Sequence, residues 1–97
     1  MAIGVLFEFR GVGQAQYDLA IKKMTDGKGL RALSQWPVPG VLAHMAGPTP
    51  DGWRVVDVWE SEEAFGKFGA YLQPIIKEAG FPDVAPQIFP LHNFVKT

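Results

Sequence analysis

Trp53-Arg54-Val55-Val56-Asp57-Val58-Trp59-Glu60-Ser61-Glu62-Glu63-Ala64-Phe65 holds a strand, a cap and the start of a helix in one run. Its β-branched and aromatic residues from Trp53 to Trp59 favour a pleated, buried strand. Ser61 is placed to cap the helix that follows, with Glu62 and Glu63 at the positive end of its dipole. Phe65, Phe68, Leu72, Ile75, Ile76 and Ala79 then form one apolar stripe, and Gly80 suits the helix stop. Pro74 lies inside the stripe and is expected to remove the hydrogen bond to the Ala70 carbonyl, kinking the helix.

Upstream, Gly47-Pro48-Thr49-Pro50-Asp51-Gly52 is rich in turn formers and separates a strand over Gly40–Met45 from the one over Trp53–Trp59. That pair predicts a hairpin. Ile3, Val5, Phe7 and Phe9 share one parity, so a strand opens the chain and ends at Arg10-Gly11-Val12-Gly13. Tyr17, Ala20, Ile21 and Met24 have helical spacing within Gln14–Met24. Leu30, Leu33 and Trp36 could begin a further turn of helix, but Pro37 and Pro39 forbid its continuation. Gln87–Val95 alternates enough for a closing strand, which Pro90 assigns to an edge.

The order strand, helix, strand, strand, helix, strand predicts an α+β, ferredoxin-like βαββαβ domain over residues 1–97. Its four-stranded antiparallel sheet would carry both helices on one face, with the first and third strands central. Both strand parities are apolar: Val55 against Val56 and Val58, Phe89 and Leu91 against Ile88 and Phe94. Two helices cover one face only, so the second is expected to pair with a second copy, making a homodimer through sheet faces.

Composition narrows the partners. Of 97 residues 47% are apolar and 20% charged, too hydrophobic for a disordered chain. Nine Lys and Arg against ten Asp and Glu give a net charge of -1, so neither nucleic acid nor a membrane surface is expected as a partner. The absence of cysteine removes disulfides, thiolate metal sites and a cysteine nucleophile. The uncharged stretch Leu33–Pro50 is broken by proline and glycine, and Glu8 follows Met1–Phe7 too soon for a leader. The expected location is the cytoplasm.

The run Trp53–Phe65 resembles the third-strand and second-helix signature of the antibiotic biosynthesis monooxygenase-like, dimeric α/β-barrel family. The likeness extends in element order from Ile3 to Pro90-Leu91-His92-Asn93. It implies a dimer whose sheets face each other and a small-molecule pocket between each sheet and its helices. The family includes cofactor-independent oxygenases, haem-degrading enzymes, lactone isomerases and polyketide cyclases, so it speaks for the fold more than for one reaction.

Asp57 interrupts an apolar strand. A buried carboxylate needs donors or must stay protonated, so Asp57 is either a general acid or base or a hydrogen-bonded structural group. Strand parity puts Trp53, Val55, Asp57 and Trp59 on one face, where the indoles could hold a flat ligand or simply fill the core. His44 and His92 are the only histidines and the other candidate proton carriers. Asp57, His92 and His44 are thus the catalytic candidates; Trp53, Trp59, Tyr71, Phe68 and Tyr17 are the ligand-binding ones. No His-x-x-x-His spacing supports a metal, and no cofactor is expected. The expected function is binding of a small apolar or aromatic molecule by a cofactor-independent monooxygenase, cyclase or isomerase. Its alternative is a non-catalytic ligand-binding or stress-associated dimer.

Overall fold

The computed structural model describes residues 2–95. β1 (Ile3–Arg10) buries Ile3, Val5, Phe7 and Phe9 and exposes Glu8 and Arg10. α1 (Gln14–Met24) follows, and the Gln16 side chain anchors its first turn: Oε1 accepts from the Gly13 N–H at 3.0 Å, and Nε2 donates to the Gly80 carbonyl at 3.1 Å. Between α1 and the next strand only Leu33–Gln35 is helical, a single 3-10 turn cut off before Pro37 and Pro39.

β2 (Val41–Thr49) and β3 (Gly52–Trp59) form the hairpin, with Pro50-Asp51 at its tip. β2 therefore runs through Gly47-Pro48-Thr49, which the sequence assigns to the turn. β2 is an edge strand, so Pro48 can sit there without leaving a ladder bond unmade. At Gly52 an added Cβ would overlap the Phe9 carbonyl, so the strands approach too closely for any other residue.

α2 (Glu62–Glu78) starts where expected: Ser61 Oγ accepts from the Ala64 N–H at 3.1 Å. It continues through Pro74 as one helix; the freed Ala70 carbonyl belongs to an exposed residue within reach of water. β4 (Gln87–Pro90) is shorter than the expected Gln87–Val95 and pairs with Ile3–Leu6 of β1.

The strands are antiparallel in the order β2-β3-β1-β4. Both helices pack on one face: Phe65 meets Phe7 and Trp59, and Tyr17 meets Trp53 at 5.3 Å between ring centroids. This is the ferredoxin-like α+β architecture. The other face carries Met45, Val56 and Phe89, with a Glu8–Arg54 ion pair at 2.9 Å.

One irregularity positions the site. Val41 pairs with Trp59, but Ala43, not Leu42, pairs with Val58, so Leu42 is an extra residue in β2. In unbroken register His44 would lie opposite Val56, on the uncovered face. The bulge instead brings it opposite Asp57, on the helix side.

Candidate functional site

Asp57 is 2% exposed on the central strand β3 and receives two donors. His44 Nδ1 lies 2.6 Å from Oδ1, and Trp59 Nε1 donates to Oδ2 at 3.3 Å. Of the two ways to bury a carboxyl group, the chain supplies donors. His44 Nε2 lies 2.6 Å from the Tyr17 hydroxyl, and the two rings stack with 8° between their planes. A carboxylate only accepts, so the Nδ1 hydrogen belongs to the imidazole, leaving Nε2 to accept from the phenol. Burial, then the negative charges of Asp57 and Asp18, push the Tyr17 phenol from 10.0 up to about 12. It is a protonated donor at neutral pH. The result is a chain of hydrogen bonds, Trp59 and His44 to Asp57 and Tyr17 to His44, drawn from α1, β2 and β3.

The chain ends at a cavity of about 50 Å³ between the sheet and the helices, lined by Tyr17, His44 and Asp57 among apolar residues that include Phe68, Trp36 and Phe81. Among the described residues no lysine or arginine lines it. With ~10–15 Å³ for each water-sized sphere, the space holds a few waters, well below the ~150 Å³ in which benzene has been accommodated.

The sequence candidates separate here. Asp57, His44, Tyr17 and Phe68 meet at the cavity. Trp59 is fully buried against Phe65 and Phe68 and reaches the site only through Asp57. Trp53 is buried beside Tyr17 but does not line the space. Tyr71 is 41% exposed and borders a separate surface groove with Thr25 and Lys28. His92 is exposed beyond the end of β4 and is not brought to the cavity. Trp36 was not among the candidates; it lines the cavity and meets His44 edge-on at 4.7 Å. Its lone signal was a large aromatic set among Pro37, Val38 and Pro39 in a segment with no other use for it. Among the described residues no group of three or more His, Cys, Asp or Glu could hold a metal ion, and no helix is long and apolar enough to cross a membrane.

Solved structures with this fold include SnoaB, a cofactor-independent oxygenase from Streptomyces nogalater. It matches with a TM-score of 0.62 and 13% identity over 99% of this chain and 97% of that one. A variant of SnoaB matches with a TM-score of 0.64 at 13% identity, covering 99% and 98%. The monooxygenase from the gene ActVA-Orf6 of Streptomyces coelicolor, in complex with nanaomycin D, matches at 0.51 and 22% identity, covering 99% and 92%. No family model and no curated protein matches the chain. At such identities the likeness establishes the shared fold, which is the fold implied by the sequence resemblance.

Proposed function

We propose that this chain is a cofactor-independent monooxygenase whose first step is proton abstraction by His44 from a neutral aromatic or polyketide-like molecule. The observation that carries this reading is the Asp57–His44–Tyr17 chain ending at an apolar cavity. Asp57 fixes the imidazole tautomer and stabilises the imidazolium that forms, and Tyr17 shares Nε2 until substrate displaces it. The oxygenase descriptions of the structural neighbours support the same chemistry.

His44 takes a proton from an acidic ring carbon or phenol, and the anion passes one electron to O₂. The resulting pair combines through a new C–O bond to a hydroperoxide. The imidazolium returns its proton to the peroxide, and loss of water leaves a carbonyl: one oxygen atom enters the product, the other leaves as water, and the substrate supplies all four electrons that O₂ takes up. A cyclisation or isomerisation would use the same base without O₂.

The uncovered sheet face supports the companion proposal of a homodimer. Met45 and Phe89 are exposed there, and the same face carries a Glu8–Arg54 pair whose two charges can complement those of a second copy. A second reading, a ligand-holding dimer without turnover, draws support from the Tyr17 hydroxyl already occupying His44 Nε2 and from a cavity smaller than one ring.

O₂ uptake with anthrone as probe tests the proposal. His44→Ala is expected to slow it by at least ~100-fold, the usual scale for a general base. Equal rates in wild type and variant would defeat the proposal, and retention of anthrone without any O₂ uptake would select the second reading.

A further inference from the structure

Every polar atom of the hydrogen-bond chain at the cavity is engaged within the protein, whereas the Trp36 indole is not. Its Nε1 is buried and has no hydrogen-bond partner. Trp53 Nε1 is likewise unpartnered, but Trp53 lies outside the cavity lining, and Trp36 belongs to it. Buried donors without partners are rare and cost free energy, so one carried by a residue that lines a cavity is a place where a ligand acceptor, once the wall yields to it, gains more than its ordinary hydrogen bond.

The backbone around Trp36 fits a reading position. Residues 30–39 pass between Gly29 and Gly40, with φ of 82° and 112°, and make no strand pairing. Gln35 braces the turn, its Oε1 accepting from the Ala32 N–H at 2.9 Å. Trp36 is therefore carried by a local turn rather than by the sheet, and this segment can yield as the small cavity enlarges around a ring. His44, edge-on to the same indole at 4.7 Å, puts the proton acceptor and the free donor side by side.

We infer that Trp36 is the residue that reads the ligand, its free indole N–H receiving an acceptor oxygen of a neutral molecule seated beside His44. The inference rests on the proposed function for the placing of the reacting edge, and extends it. The ligand carries a carbonyl-type oxygen next to the hydrogen that His44 removes. A carboxylate is disfavoured, since among the described residues no cation lines the cavity to pair with it.

Calorimetric titration with para-hydroxyacetophenone and para-ethylphenol tests it. The two share a ring and a hydroxyl and differ in the carbonyl; a single ring demands the least enlargement of the cavity. Wild type is expected to prefer the ketone, and Trp36→Phe, which keeps an aromatic ring, to lose about three- to tenfold affinity for the ketone alone. In wild type the ketone should also move the Trp36 indole N–H resonance downfield while that of Trp53 stays put, a measurement independent of how the variant folds. No preference in wild type, no binding of either probe, an equal loss for both probes or an unmoved Trp36 resonance would each overturn the inference. The binding readout needs no turnover, so failure here is separate from failure of the O₂ assay with His44→Ala.

Discussion

The two faces of β3 are built from the same strand and end in opposite conditions. On one, Trp53, Asp57 and Trp59 are buried under two helices, and the one charged group among them has both oxygens engaged. On the other, Arg54 is exposed, pairs with Glu8 across the sheet and borders a shallow groove with the exposed Met45. Side-chain alternation creates the difference, and only the covered face has the low dielectric in which a hydrogen-bond chain acquires chemical consequence. Neighbouring residues of one strand thus meet a buried, hydrogen-bonded environment and an exposed, charged one.

The greatest loss is expected from Trp59→Ala, which empties a fully buried indole position and removes a donor from Asp57. Chemical denaturation should show a drop of about 3–5 kcal/mol; a loss below ~1 kcal/mol would mean that the covered face is not the folding core.

A smaller effect follows from Tyr17. Its phenol is raised from 10.0 to about 12, so between those values the folded chain holds a proton that the unfolded chain has released. Stability is therefore unaffected below pH ~10 and declines as pH rises toward 12. Because the phenol keeps some contact with solvent, the decline attributable to it is about 1 kcal/mol. Denaturation across that range should lose this part of its slope in Tyr17→Phe.

The smallest effect belongs to Arg54→Ala on the uncovered face, about 0.5 kcal/mol for an exposed pair in a single copy. If the loss is larger in concentrated protein and falls to that value as the protein is diluted, the face is covered by a second copy. Sedimentation of the same variant would then show a shift toward the single chain. An effect independent of concentration would leave the two faces as different as they look.

Much of the fold was legible because local signals agreed. Ser61, the apolar stripe of α2 and the period-two pattern of β1 each point to one structure. The signals failed at strand ends, where edge position decides: β2 keeps Pro48 and β4 stops at Pro90, because neither needs a full ladder on its outer side. Asp57 announced itself as a polar residue in an apolar strand. Its pairing with His44 did not, since it depends on a bulge that residue types do not signal. Trp36 was hidden for a related reason: its position comes from a loop whose path no periodicity encodes.

Leu42, the extra residue of β2, has a consequence for how such a site arises and is lost. Because Leu42 is skipped in the pairing, removing that single codon would leave Val41 opposite Trp59 and His44 opposite Asp57 in an unbroken ladder, with the dyad intact. A register counted straight from Val41 through Leu42 would instead set His44 against Val56 and miss the partnership. A deletion at Leu42 therefore spares the dyad, whereas pairing Leu42 within the ladder would break it.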